Sequence, residues 1–328
     1  MPAELRIGIL GAARIAGQGI VAPARTLGHR VVAVAARDRT RAEAFAAEHG
    51  VERVHDDYAD VINDPDVDVV YNALVNSLHA PWNIAALRAG KHVLTEKPFA
   101  ANATEAHRVR ETARTAPGTI VEGFHYLHHP VNIRLRDLVT SGELGQIRRV
   151  DLTLSTPSPP GTDPRWSWEL AGGATMDLGC YVLHAARQLG TWIGTPPELA
   201  HAAATLRSRD VDASMQVELL YGDIPGQLRW DMAAAERTMT WTVTGTRATA
   251  TSPAFAVPQL DNRLLITSAA GPTTEQLGSD TSYTYQLAAL AAALTGERAF
   301  PIDVDDAVAN AELIDAVYTR AGLRCRAT

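Results

Sequence analysis

Cysteine is scarce in this chain of 328 residues: Cys180 and Cys325 are the only two, and they lie far apart. That spacing matches neither a disulfide framework nor a thiolate zinc site. Long apolar runs are also missing. None approaches the ~20 residues of a membrane-spanning helix, and the amino terminus has no signal-peptide pattern. No Lys/Arg-rich run occurs, and the net charge of −7 argues against nucleic acid as a main partner. With 46% hydrophobic and 20% charged residues, the chain reads as an ordinary soluble protein, expected in the cytoplasm. At roughly 150 residues per domain, its length suits two domains.

The first half alternates strands and helices. Leu5–Leu10 is a short apolar strand that runs straight into Gly11-Ala12-Ala13-Arg14-Ile15-Ala16 and a helix start. Strand, small-residue turn and helix together form the phosphate-binding entry of a dinucleotide fold, in which backbone N–H groups face the pyrophosphate. Gly11 supplies the tight turn. Ala13 stands where a second glycine is usual, so the pattern is degenerate and also fits a plain βα turn.

The second strand, Arg30–Ala36, ends without the acid that an NAD enzyme places on the ribose 2′-hydroxyl. Ala36 holds that place, followed by Arg37, with Arg41 close behind. A missing carboxylate removes repulsion toward a 2′-phosphate, and an arginine can pair with one bidentately. NADP(H) is therefore expected over NAD(H), with a solvated charged loop as the bland alternative and Asp38 weighing mildly against.

Further strands over Val67–Leu74, Gly90–Thr95 and Thr119–Phe124 alternate with helices through short connections, which predicts a doubly wound parallel sheet. The strand within Gly90–Phe99 ends on Glu96-Lys97-Pro98. Proline cannot continue the strand, holds Lys97 extended and leaves the Lys97–Pro98 peptide open to the cis form. A lysine there lies at the edge where open α/β sheets bind ligands. His79, after the Asn76-Ser77-Leu78 tail of another strand, is placed beside the same edge.

These motifs carry a resemblance. The Gly8–Ala16 turn, Asn76-Ser77-Leu78-His79, Gly90–Pro98 and Gly172–Tyr181 occur in an order and spacing that resemble the Gfo/Idh/MocA (glucose–fructose oxidoreductase / inositol dehydrogenase) family. The nearest branches are the dimeric dihydrodiol dehydrogenases and NADP-xylose dehydrogenases, and the NDP-sugar 3-ketoreductases. The resemblance implies a Rossmann domain over residues 1–123. It also implies an α+β domain over 124–328 with a large open, mainly antiparallel sheet that forms a homodimer or homotetramer surface. By the same resemblance Leu74, Val75 and Asn76 lie near the nicotinamide and Tyr283 touches the cofactor. Gly11, Ala12, Ala13, Arg14, Ile15, Ala36, Arg37, Arg41, His79, Glu96 and Lys97 complete the cofactor set.

After Phe124 the pattern changes. An alternating strand over Gly145–Leu154 is followed by runs at 213–221, 226–232, 238–244, 248–251 and 264–267. Met176–Leu189 reads as a helix whose core face is Leu178, Val182, Ala185 and Leu189; Asp177, Tyr181 and His184 form a second stripe. A tyrosine near a lysine can move a proton at a carbonyl, because the ammonium lowers the phenol pKa. Taken alone, Tyr181 also fits a core tyrosine. His125, Arg148, Arg165, Trp166 and Tyr181 are candidates to line a polar, aromatic pocket, with packing of the 156–168 loop as the plainer role for Trp166. His125, His128 and His129 have no carboxylate or cysteine to complete a metal spacing, so no metal is expected.

The expected activity is reversible hydride transfer between NADP(H) and a secondary alcohol or ketone of a sugar or cyclic polyol. Lys97 and Tyr181 would be catalytic, with Asp177 or His184 orienting. A dihydrodiol dehydrogenase activity and a non-catalytic NADP-binding regulator are the alternatives.

Overall fold

Six short strands, β1 (Arg6–Leu10), β2 (Arg30–Ala35), β3 (Arg53–His55), β4 (Val69–Asn72), β5 (His92–Thr95) and β6 (Ile120–Glu122), pair in parallel in the order β3-β2-β1-β4-β5-β6. Both faces are covered, which is why the middles of β1, β4 and β5 are apolar on both sides rather than alternating. The order reverses between β1 and β4, and this switch point opens the ligand crevice of a Rossmann sheet. The computed structural model describes residues 4–326. It divides into two compact units; the first runs to His125 and takes up Tyr283–Ala311, and the second is Tyr126–Ser282 with residues 312–326.

The helix after β1 is not uniform. α1 (Arg14–Ala16) passes into a π-helical turn, Gly17–Val21, and then α2 (Ala22–Leu27), which Gly28 closes in the left-handed conformation. α3 (Arg39–His49), α4 (Tyr58–Asn63) and α6 (Ala103–Ala113) start on Asp38, Asp57 and Asn102, each accepting from a backbone N–H of the first turn. α5 (His79–Arg88) lies between them in sequence.

In the second unit α7 (Pro130–Thr140) precedes β7 (Ile147–Ser155), and a π turn, Thr175–Gly179, leads into α8 (Cys180–Ile193). Seven strands follow: β8 (Glu198–Ser208), β9 (Val211–Tyr221), β10 (Ile224–Asp231), β11 (Thr238–Gly245), β12 (Ala248–Ser252), β13 (Arg263–Ser268) and β14 (Gly271–Gln276). The sheet order is β14-β13-β12-β11-β7-β10-β9-β8, antiparallel except for β7 beside β10. β9 alternates: Met215, Val217, Leu219 and Tyr221 point inward, while Gln216, Glu218 and Leu220 are exposed.

Sequence reading anticipated six of these eight strands. The two it missed, β8 and β14, are the edges, where most side chains are exposed and apolar alternation is weak. α8 also differs from the expected one-sided helix, because ten of its residues, Tyr181, His184 and Gln188 among them, are buried.

The last two helices are α9 (Ser282–Leu294) and α10 (Val304–Arg320). In the first unit they cover opposite faces of the sheet. Leu287, Leu290 and Ala291 pack with Ile7, Ile9 and Tyr71, while Ala307, Val308 and Ala311 join the core of Val70, Val93 and Ala86. Among the described residues, no helix is long and apolar enough to cross a membrane, and no group of three or more His, Cys, Asp or Glu is placed to hold a metal.

Candidate functional site

The carboxyl edge of the first sheet is in register. Leu10 pairs with Ala35 and with Asn72, Asn72 with Thr95, and Thr95 with Glu122. The residues just beyond, Ala36, Gly11, Ala73 and Glu96, therefore form one row, with Gly11, Ala73 and Glu96 each donating a backbone bond to the neighbouring strand. From Ala36 to Glu96 the row spans three interstrand spacings, about 14 Å. Most of the expected cofactor residues lie on or next to it.

At its centre Gly11 has φ 94°. A Cβ there would come 3.0 Å from Leu74 Cδ2 and 3.4 Å from the Ala73 carbonyl, so glycine is what lets the turn close. Ala13 caps α1 in extended conformation, without a side-chain acceptor and without an acid in the first turn. The helix start is thus left to an outside anion. Arg41 reaches back to this turn, its Nη2 donating to the Ala12 carbonyl at 3.2 Å.

At one end of the row, Arg37 is exposed and, among the described residues, its guanidinium is in no ion pair. Its neighbour Arg39 is committed to Glu43 and Asp56. The Asp38 carboxylate, which weighed against a 2′-phosphate, accepts from the Thr40 N–H at 2.9 Å as the cap of α3. The cradle at Gly11, the open helix start and the arginines beside Ala36 fit a nicotinamide dinucleotide.

At the other end, three buried side chains brace the Lys97 turn, whose Lys97–Pro98 peptide is cis. The His79 ring bridges the Pro98 carbonyl at 2.6 Å and the Leu74 carbonyl at 2.9 Å. Burial pushes its pKa down, against the pull of those two carbonyls. Glu122 accepts from the Phe99 N–H at 2.8 Å, and Asn83 donates to Thr95 Oγ1 at 3.1 Å. His79 is thus a tie between the 74–75 loop and the lysine turn. Glu122 and Asn83 escaped sequence reading, since a polar residue at a strand end or a helix face is a weak signal. Glu96 Oε1 accepts from Tyr71 Oη at 2.6 Å; burial first, and then Glu96, hold the Tyr71 phenol well above its ordinary pKa. Tyr283 is buried and its phenol is likewise raised, first by burial and then by Glu96. His125, expected on substrate, packs its ring against Tyr283 with centroids 3.9 Å apart.

In the second unit, the π turn presents Asp177 and leads into Tyr181. The Cys180 N–H donates to the Thr175 carbonyl five residues back, and this widens the turn. His184 is fully buried, with Nδ1 against Tyr126 Oη at 2.7 Å and Nε2 3.4 Å from Gln188 Nε2. The Tyr126 ring also meets Tyr181 edge-on at 5.9 Å. Arg165 chelates Asp163 through Nε and Nη2, both at 2.9 Å, and its Nη1 lies 3.6 Å from Asp177 Oδ2. Trp166 packs within its own loop, donating to the Pro159 carbonyl at 3.3 Å.

Arg148 does not join these residues. It is exposed, donates to Gln146, and lies at the start of β7. Seven steps along the strand separate it from Ser155, about 23 Å.

Comparison with known proteins agrees with this fold. Residues 5–124 match the model of an oxidoreductase family with an NAD-binding Rossmann fold, GFO/IDH/MocA, and residues 133–251 match the GFO/IDH/MocA C-terminal domain. The chain is 33% identical over 329 residues to an NADP(+) D-xylose 1-dehydrogenase of Haloferax volcanii, covering 97% of both chains. It is 40% identical over 188 residues to a dTDP-3,4-didehydro-2,6-dideoxy-alpha-D-glucose 3-reductase of Saccharopolyspora spinosa, covering 57% of this chain and 56% of that one. A 3-ketoreductase from Actinomadura kijaniata, solved with NADP and TDP-benzene, superposes with a TM-score of 0.88 at 29% identity over 98% of each chain.

Proposed function

Because the chain belongs to the GFO/IDH/MocA family of oxidoreductases, we propose that it is an NADP(H)-dependent sugar oxidoreductase. Its substrates are secondary alcohols or ketones of sugars or similar cyclic polyols. The observation that carries this reading is the in-register row from Ala36 to Glu96, with Arg37 at one end, the open helix start at its centre and the braced Lys97 turn at the other. Residues 1–123 serve the nucleotide, joined by Tyr283 from the later chain, and the rest of 124–328 serves the sugar.

Bound NADP(H) supplies or accepts the hydride. The chain positions the reactants and manages the proton. Backbone N–H groups at Arg14 and Ile15 hold phosphate, and Arg37 holds the 2′-phosphate. Lys97, kept in place by the Pro98 and Phe99 contacts, hydrogen-bonds the reacting oxygen and stabilises its developing charge. Tyr181 gives or takes the proton, with Asp177 and the Tyr126–His184 pair fixing its surroundings.

The test is turnover with NADP+ and NAD+ on a panel of D-xylose, D-glucose, L-arabinose, myo-inositol and a trans-dihydrodiol, with dTDP-ketosugar reduction assayed using NADPH. NADP+- or NADPH-linked turnover of at least one member is expected. Lys97→Ala and Tyr181→Phe should each lower kcat about 10²–10⁴-fold with NADPH still bound. Unchanged kcat in Lys97→Ala would sink the assignment. Nucleotide binding without turnover across the panel would favour the regulator.

A further inference from the structure

The segment that delivers Asp177 and Tyr181 is held by a buried arginine near the end of the chain. The Arg326 side chain is 1% exposed and that of its partner Asp212 is 0% exposed. Arg326 donates to the Gly172 carbonyl from Nε at 2.9 Å and from Nη2 at 2.5 Å, and to the Asp210 carbonyl from Nη1 at 2.8 Å. Nη2 also meets Asp212 Oδ1 at 3.3 Å and Tyr318 Oη at 2.9 Å. The guanidinium carbon lies over two rings, 4.4 Å from the centroid of Trp168 and 4.6 Å from that of Tyr318.

Asp212 passes the contact on. Its Oδ2 accepts from the Thr175 N–H at 2.6 Å and from Thr175 Oγ1 at 2.7 Å, where the π turn begins. The Gly173 carbonyl accepts from the Asp177 N–H at 3.0 Å, and the Gly173 N–H donates to the Arg165 carbonyl at 2.8 Å. The two glycines make this approach possible. Gly173 has φ 121°, and a Cβ on it would land on Asp212 and Arg326; one on Gly172 would land on the carbonyls of Arg165 and Ser167.

A buried pair gives little net stability over an apolar replacement, so its contribution is sought in what it holds in place. Here the fork fixes the Gly172 carbonyl just before the turn and the carboxylate that holds its first residue, Thr175. We propose that Arg326 is a positioning residue for proton transfer: it sets where the Thr175–Gly179 turn starts, and so the placement of Asp177 and Tyr181. The inference rests on the proposed proton-handling role of those two residues. Lysine cannot substitute, because one ammonium offers neither the planar fork nor the stacking faces.

The test compares full-length wild type, Arg326→Lys, Trp168→Leu and Tyr181→Phe on the panel sugar oxidised fastest with NADP+. kcat, KM, the kcat–pH profile and the Kd for NADPH are measured. Arg326→Lys is expected to lose at least tenfold in kcat and to shift the profile limb that Tyr181→Phe abolishes, with the Kd for NADPH within about twofold of wild type. Should Arg326→Lys fail to fold, Trp168→Leu decides. It removes one stacking face but leaves the buried pair, and should lower kcat severalfold with the same limb shift. Folded variants with wild-type kcat and profile, beside an impaired Tyr181→Phe, would overturn this inference alone. Equal losses in kcat and NADPH affinity would also overturn it, as general loosening. A wild-type kcat in Tyr181→Phe, or no turnover by the unmodified protein, would instead remove the reading beneath it.

Discussion

Arg37 matters because of what its neighbours are doing. Asp38 is turned into the cap of α3 and Arg39 is held by two acids, which leaves Arg37 as the exposed charge next to Ala36. Arg37→Ala should weaken NADPH binding about tenfold, the low end for a charge-assisted bond at an exposed site, and leave NADH binding nearly unchanged. Parallel titrations followed by nicotinamide fluorescence would check this; equal losses for both nucleotides would remove the 2′-phosphate role. Single residues at this edge were readable from sequence when chain geometry forces their place, as with Gly11, Lys97 and Pro98. For Arg148 the sequence is less informative, because a side-chain type says nothing about which end of a nine-residue strand it occupies.

Both π turns lie next to proposed site residues, one after the Gly11–Ala16 turn and one before Tyr181. Gly19, in the first, packs on Tyr71 so closely that a Cβ would come 2.6 Å from the phenol oxygen. That oxygen donates to Glu96 beside Lys97. Gly19→Ala should therefore destabilise the protein by about 1–3 kcal/mol through overpacking. Urea denaturation of Gly19→Ala, Tyr71→Phe and the double variant would show a coupling, because Phe removes the clashing atom; strictly additive losses would refute the contact. The alternation of parallel strands and helices was legible because buried strands must be apolar on both faces. The π turns were not, since the run Thr175–Gly179 has the same local preferences as an ordinary helix start. Edge strands β8 and β14 escaped for the opposite reason, having little to bury.

Stability as a whole should fall in mild acid. Burial lowers the pKa of His128 to about 3 and of His129 to about 4, so both stay neutral in the folded chain while the unfolded chain protonates near 6.5. The unfolded state thus binds more protons between those limits, and stability is lost as pH falls from about 6.5 toward 4. Each histidine contributes a slope of about 1.4 kcal/mol per pH unit. Thermal melts from pH 7.5 to 4.5 should show a falling Tm, less steep in His128→Gln; a flat profile would contradict the burial of both rings. No local pattern reveals such long-range pairings. Arg326 and Gly172 are 154 residues apart, and only the closed fold makes them neighbours.

The chain has 28 arginines and two lysines. Lys91 spends its ammonium on the Asp64 and Val67 carbonyls, each at 2.8 Å, and Lys97 sits in the turn after β5. Beyond the α-amino group, amine-directed labelling of this protein can therefore reach only two side chains. A covalent tag on either reports from a known address rather than averaging over a surface.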